Sequence, residues 1–293
     1  MKNLLFIYNP RAGKGSIGTH LGDIVDTFTK KGFKVTIYPT QCPGDGEVIA
    51  KQWCGDYDRI VCAGGDGTLD EIVTGVMSQG AKIPIGYLPT GSTNDFARSI
   101  GLPKTIKKAA ATAAGDRSFR CDLGRFNSRF FVYVAAFGLF TDVTYETDQS
   151  LKNIFGYTAY LAECVKKLPT IRSIPLRITY DDNVLADSFL VGLVTNSDSV
   201  GGLKALPGPD VKLDDGVFEV MLVRAPDNIL EFNLIAPAIL DRRIKSENVI
   251  CFKCSKLTIE SDEPIAWNLD GEFGGLVDHA DIENVHEAAE FIV

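Results

Sequence analysis

Histidine is nearly absent: His20, His279 and His286 are the only three in 293 residues, and none stands at zinc-ligand spacing from another. Cysteine offers no better framework. The seven are scattered, and the one close pair, Cys251 and Cys254, lies in a β-like run with no second Cys or His pair beside it. That usage excludes a zinc module and a disulfide scaffold and fits a reducing cytoplasm. Positive charge is also short. The 30 Lys and Arg against 38 Asp and Glu leave a net charge of −8, which excludes a nucleic-acid footprint. It equally excludes adhesion to anionic lipid through bulk charge, so membrane contact has to be local and peripheral. Long apolar runs are missing too. Asn9-Pro10 cuts the first one short of a signal peptide, and the longest later one, 130–143, is interrupted by Gly138, Thr141 and Asp142. No internal repeat or low-complexity segment is visible. The expectation is a cytoplasmic protein.

What is present is glycine at three related places. Leu4–Tyr8, Asp58–Cys62 and Ile83–Leu88 read as strands, each followed by a polar, glycine-bearing turn. The middle turn, Ala63-Gly64-Gly65-Asp66-Gly67-Thr68, opens an apolar-periodic run at Leu69, Ile72, Val73, Val76 and Met77 that reads as a helix. Glycine there lets backbone N–H groups approach an anion that a side chain would block. The helix N-terminus behind it adds partial positive charge and unpaired donors. Phosphate suits this geometry best; the plainer alternative is a tight turn with Asp66 capping the helix. The third turn runs from Pro89 to Arg98, with Ser92 or Thr93 placed to cap a helix and Asn94, Asp95 and Arg98 at its mouth. The first is Asn9-Pro10-Arg11-Ala12-Gly13-Lys14-Gly15-Ser16. Three such turns at strand C-terminal ends point to a ligand at the carboxyl edge of a parallel sheet.

Two better-known fingerprints fail here. Gly13, Gly15 and Gly18 satisfy the dinucleotide spacing, yet Asn9–Ala12 separates them from the strand and Tyr38-Pro39-Thr40 supplies no acid for a ribose. A Walker A loop lacks its leading glycine, and Lys14 is followed by Gly15.

At 293 residues the chain suits two domains. Strand and helix patterns alternate to about Asp122, which predicts βαβ units and a parallel sheet. Helical patterns fall near 16–31, 45–54, 68–79, 93–100 and 104–114. Short β-rich runs then follow at 130–135, 176–180, 187–195, 217–224 and 255–260, predicting an antiparallel sandwich or barrel-like second domain. One amphipathic helix is expected over 151–168, and 282–293 reads as either a helix or a returning strand.

The combination of NPRAGKG at 9–15, GGDGTLDEI at 64–72, LPTGSTNDFARSIGLP at 88–103 and NLDGE at 268–272 resembles the diacylglycerol kinase catalytic family of bacterial soluble lipid kinases. Eukaryotic diacylglycerol, sphingosine and ceramide kinases share that module. GGDG alone also suits NAD kinases and phosphofructokinases; the GSTNDFAR stretch is the more specific motif. The resemblance spans nearly the whole chain. It implies an α/β nucleotide-binding domain at 1–122 plus 281–293 and a β-sandwich lipid-substrate domain at 123–280. It implies ATP and Mg²⁺ as cofactors, and phosphorylation of a lipid hydroxyl, with diacylglycerol giving phosphatidic acid. Expected phosphate contacts are Asn9, Gly13, Lys14, Gly15 and Gly64, Gly65, Asp66, Gly67 and Thr68, with Thr40 and Thr90 also on the nucleotide.

Asn94 and Asp95 belong to the same nucleotide set, and Asp66, Asp95 and Asp122 match acidic positions around catalytic metal and water. Lys212-Leu213-Asp214-Asp215-Gly216-Val217 resembles the family's metal loop, with an Asp215 carboxylate and Lys212 and Val217 carbonyls as ligands; an acidic turn explains the same residues. The family's proton acceptor carries onto Glu272, with Asp270 assisting. Asp70 stands where many relatives have Asn, and 199–203 is a shortened glycine-rich loop. The rival readings are a kinase of a soluble substrate such as NAD and a non-catalytic nucleotide-binding regulator. The acceptor lipid and the oligomeric state stay open, with room for a homodimer.

Overall fold

Leu4–Ile7 and Ile60–Ala63 are buried at every position, which a strand achieves only when both faces of its sheet are covered. The computed structural model describes residues 1–138, 172–197, 211–228 and 246–293 except Lys14, Ser16 and Ser92. It also describes the strand backbone at 199–200 and 203–204 and positions 231, 235 and 238. These residues divide into two compact units, Met1–Leu123 with His286–Val293, and Gly124–Val285.

The first unit alternates β1 (Lys2–Tyr8), α1 (Ile17–Lys30), β2 (Phe33–Pro39), α2 (Asp45–Trp53), β3 (Arg59–Gly64), α3 (Asp66–Ser78), β4 (Ile85–Pro89), α4 (Asp95–Ser99) and α5 (Ile106–Ala113). The strands pair in parallel in the order β4-β3-β1-β2. One face carries Phe6, Phe28 and Ile24 of α1 with Ala109, Ala110 and Ala113 of α5. Small residues on α5 let it lie close: a Cβ on Gly86 of β4 would meet Ala113 Cβ at 2.8 Å. Arg59, itself buried, donates to the carbonyls of Ala113 and Gly115 at 2.9 and 2.7 Å and so closes the C-terminal end of α5.

Beyond this come β5 (Ser118–Phe126), β6 (Arg129–Phe131), β7 (Val134–Gly138), β8 (Ile174–Tyr180), β9 (Asn183–Thr195), the two-residue β10 (Ser199–Val200) and β11 (Leu203–Lys204), β12 (Phe218–Arg224), β13 (Val249–Cys254), β14 (Lys256–Leu269) and β15 (Glu272–Ile292). In the second unit the order is β13-β12-β9-β7-β14-β15, all antiparallel, and β8 pairs with both β9 and β14. Its core centres on Trp267, fully buried, with Phe126 and Phe137 rings 4.9 and 5.1 Å away. Gly192 admits Phe137, since a Cβ there would stand 2.1 Å from that ring.

The last segment is a strand, not a helix. Phe291 and Ile292 at the end of β15 pair in parallel with Ile85 and Gly86 of β4, adding a strand to the first unit's sheet. The helix expected over 151–168 lies outside the described residues, as do the side chains of the 199–203 loop. No helix among the described residues is long and apolar enough to cross a membrane.

Candidate active site

Parallel pairing brings the C-terminal ends of β1, β3 and β4 to one edge, and hydrogen bonds tie the turns that follow. Asn9 N–H donates to the Ala63 carbonyl at 2.8 Å, Thr90 N–H to the Gly64 carbonyl at 2.8 Å, and Thr40 N–H to the Tyr8 carbonyl at 2.9 Å. Side chains extend the ties: Asn9 Nδ2 donates to Thr68 Oγ1 at 3.3 Å, and Asn94 Oδ1 accepts from Gly91 N–H at 2.9 Å. Asn94 is left-handed (φ 52) and is the N-cap of α4, the place the sequence reading gave to Ser92 or Thr93. Ser92 and Lys14 lie outside the described residues.

The glycines are needed for closeness. Gly13 is left-handed (φ 59), and a Cβ on it would meet the Thr90 carbonyl oxygen at 2.2 Å. Gly65 is extended (φ −89, ψ −174), so positive φ is not its reason. A Cβ on it would stand 3.4 Å from Gly91 Cα, and the stricter demand falls on Gly91, whose added Cβ would stand 2.5 Å from Gly65 Cα. Gly64 is likewise closed, by Thr68 at 2.4 Å. The second and third turns thus touch backbone to backbone.

Helix α3 begins at Asp66 behind Gly65, with no side-chain bond capping it. Asp66 does not fold back as a cap; its Oδ2 accepts the Asp95 N–H at 3.2 Å, joining the starts of α3 and α4. Asp95 is 1% exposed and lies 3.8 Å from the Arg98 guanidinium. Tyr87, fully buried beneath the turns, reaches the Gly64 carbonyl and Asn94 Oδ1 at 3.4 Å each, and burial pushes its phenol well above the ordinary range. Asn9, Gly13, Gly64, Gly65, Asp66, Thr68, Thr90, Asn94 and Asp95 therefore form one connected set, with Gly67 in the first turn of α3.

Asp122 has other partners. It is fully buried on β5, and its Oδ1 lies 2.9 Å from His286 Nδ1 and accepts the Glu287 N–H at 2.7 Å. Glu287 is left-handed (φ 47), so Asp122 anchors a kink in β15.

In the second unit, Leu269-Asp270-Gly271-Glu272 is a two-residue hairpin turn, with φ 52 at Asp270 and 95 at Gly271. Asp270 is 3% exposed. Its Oδ1 accepts the Tyr133 and Val134 N–H groups at 2.9 and 2.8 Å, and its Oδ2 accepts the Val132 N–H. Its own N–H donates to the Val134 carbonyl at 2.9 Å. A carboxylate holding three backbone donors is an anchor for the turn. The two carboxylates are therefore not equivalent, because Glu272 follows the turn in an exposed position.

The 212–217 loop precedes β12. Asp215 Oδ1 lies 3.4 Å from the Val217 N–H, and its Oδ2 lies 3.5 Å from Lys253 Nζ; Lys212 is exposed. Lys253 also pairs at 2.8 Å with Glu219, 3% exposed on β12. Burial raises the Glu219 carboxyl and that contact raises the Lys253 ammonium. Neither residue was singled out in the sequence, because only strand register brings them opposite each other. Among the described residues no three His, Cys, Asp or Glu side chains gather as a metal cluster.

Residues 3–126 match the family described as diacylglycerol kinase catalytic domain, and 134–284 match the YegS C-terminal NAD kinase beta sandwich-like domain. The diacylglycerol kinase of Bacillus subtilis is 34% identical over 280 residues, covering 94% of this chain and 92% of its own. That of Staphylococcus carnosus is 36% identical over 276 residues, covering 94% and 90%. A crystal structure of a candidate diacylglycerol kinase from Bacillus anthracis superposes with a TM-score of 0.84 at 26% identity, over 99% of this chain and 95% of that one. The chain belongs to the diacylglycerol kinase family.

Proposed function

We propose that this ATP-dependent lipid kinase transfers the γ-phosphoryl group to the free hydroxyl of diacylglycerol, giving phosphatidic acid. The observation that carries the nucleotide half is the backbone contact of the Gly65 and Gly91 turns at one sheet edge, with the α3 N-terminus behind them. Family membership carries the lipid half. Asn9, Gly13, Lys14, Gly15, Gly64–Thr68 and Thr90 hold the phosphates through N–H and hydroxyl donors, and Thr40 meets the nucleotide from the end of β2. Glu272 accepts the proton as the lipid oxygen bonds to the γ-phosphorus and the bond to the β-γ bridging oxygen breaks, leaving ADP. Asp270 positions Glu272 by fixing the turn.

Asp66 and Asp95 beside a phosphate cradle would repel polyphosphate unless a cation stood with it. Their carboxylates suit Mg²⁺, which takes oxygen ligands and keeps several waters. When bound with ATP the ion supplies charge neutralisation. The 212–217 loop offers a hydrated Mg²⁺ one carboxylate, Asp215, with the Lys212 and Val217 carbonyls, and Lys253 is the competing cation there. The lipid domain is read as the unit Gly124–Val285 and the nucleotide domain as Met1–Leu123 with His286–Val293. The return thus starts at His286 and not at the expected 281, because Ile282 packs in the second unit's core. Such a kinase works as a peripheral enzyme at the cytoplasmic membrane surface.

ATP turnover in mixed micelles with and without diacylglycerol tests the assignment. Phosphatidic acid and ADP should appear together only with the lipid. Turnover of ATP on NAD alone would favour the soluble-substrate reading, and ATP binding without turnover on any lipid would leave a regulator.

A further inference from the structure

Helix α2 starts in a way that would suit an anion. Gly44, its N-cap, is left-handed (φ 82) and makes no side-chain capping bond. The N–H groups of Gly44 and Gly46, either side of Asp45, point at one place, and backbone donors at a helix start suit negative charge. That place is filled from within the chain. Glu71, one turn into α3, accepts the Gly44 N–H on Oε1 at 2.7 Å and the Gly46 N–H on Oε2 at 3.0 Å. The fit leaves no spare room: a Cβ on Gly46 would stand 2.7 Å from Glu71 Oε2. One turn further along α3, a Cβ on Gly75 would meet the Glu47 carbonyl at 2.4 Å. Glu71 and Gly75 therefore mark the face of α3 applied to α2.

The chain before α2 is the stretch that leaves β2 with Thr40. It is held at one end by the Thr40 N–H on the Tyr8 carbonyl and braced by Asp45, whose Oδ2 accepts the Gln41 N–H at 2.8 Å. Its other end is held by Glu71. We propose that Glu71 is a positioning residue for nucleotide binding: its carboxylate replaces a ligand anion at the α2 N-terminus and locks the 40–46 loop to the helix whose first turn forms the phosphate loop. Two consequences follow. The α2 N-terminus is not a phosphate site, and Glu71 sets where Thr40 stands relative to Gly65–Thr68. This rests on the nucleotide reading above.

The test uses the full chain and equilibrium titration with MgATP, alongside steady-state kinetics and thermal unfolding. Glu71→Gln keeps the side-chain shape but turns an amide NH₂ toward one of the two N–H donors. Its Kd and KM for ATP should rise about 10-fold or more, with kcat within about 3-fold, since positioning of the nucleotide and not the proton transfer is altered. Gly46→Ala pushes the carboxylate off its donors and should do the same. In a Glu71→Ala background the added methyl meets no oxygen, so the double variant should be far less than additive. ATP affinity within 2-fold of wild type in both folded single variants, whatever their melting temperatures, would overturn the inference and leave Glu71 a structural tie. If Glu71→Ala does not fold, Glu71→Gln and Gly46→Ala decide alone. Wild-type protein that binds no ATP would instead sink the nucleotide reading itself.

Discussion

Two carboxylates on either side of Gly271 take different parts in one turn. Asp270 occupies a left-handed position and collects the N–H groups of 132–134, whereas Glu272 is exposed beyond it. Glu272→Gln keeps the shape and removes the basic oxygen. General-base catalysis contributes about 10²–10⁴ in rate, so kcat should fall by that order while the KM for ATP changes little. Near-full kcat in that variant would remove Glu272 from the role. Asp270→Ala should act through stability as well. It leaves three buried N–H groups with no acceptor, each costing about 1–3 kcal/mol, and places a β-carbon residue with no helpful side chain in the left-handed region. Denaturant unfolding should show a loss of roughly 3 kcal/mol or more, with kcat lowered because the turn no longer holds Glu272. An unchanged midpoint would mean that the turn is held by Gly271 and the Asn268 side chain, whose Oδ1 accepts the Gly271 N–H at 2.9 Å.

At the scale of elements, the β14–β15 ladder offers a pH test. Thr258 and Asp281 face each other in register, and the Thr258 hydroxyl donates to Asp281 Oδ1 at 2.7 Å. That bond is the main reason the Asp281 carboxyl titrates below its ordinary value, with His279 adding to it and desolvation opposing it. A lowered folded value means stability present above the unfolded value, near 3.8, and lost as pH falls through the folded one. Thr258→Val should move the Asp281 titration, followed by NMR, back toward 3.8 and reduce the acid-range decline in stability. An Asp281 carboxyl still titrating as in wild type would assign its lowering to His279 instead.

The same ladder shows where the sequence is readable. The three glycine-bearing turns were legible because each is contiguous in sequence, although the demand for glycine at Gly13 and Gly91 comes from Thr90 and Gly65 in other turns. β15 was ambiguous for a physical reason. Its buried positions alternate at Ala280, Ile282 and Asn284, then slip at Glu287 to Ala289 and Phe291. A period of two with one phase slip, written in Ala, Glu and His, also satisfies a helix. The anchors of the site were illegible for a different reason. Glu71 meets a donor 27 positions away and Asp270 one 137 positions away, and no local pattern encodes such pairs.

Across the whole molecule, the first unit is not continuous in sequence. His286–Val293 belongs with Met1–Leu123, and the closing residues form a strand beside β4 that the first 123 cannot supply. Phe291 is fully buried with its ring 4.7 Å from that of Phe96 on α4, and Ile292 is 2% exposed. Val293 N–H donates to the Arg117 carbonyl at 2.9 Å. A chain ending at Val285 loses both buried side chains, at about 1.5–3 kcal/mol each, together with the parallel ladder beside β4. Domains of this kind are stable by about 5–15 kcal/mol, so the loss is a large share of the total. α4 starts at Asp95 with Asn94 as its N-cap, so the damage reaches the turns proposed to hold the nucleotide as well. The truncated chain should lose ATP binding and melt at a lower temperature, although no residue proposed to touch ATP is removed. Supplying 286–293 again, joined through a flexible linker to the end of a 1–123 fragment, should restore a folded, ATP-binding unit, because the strand runs parallel to β4 and needs only a crossover long enough to reach it. Full ATP affinity in the chain ending at Val285 would show that the four remaining parallel strands suffice and that the returning segment is dispensable for the nucleotide site.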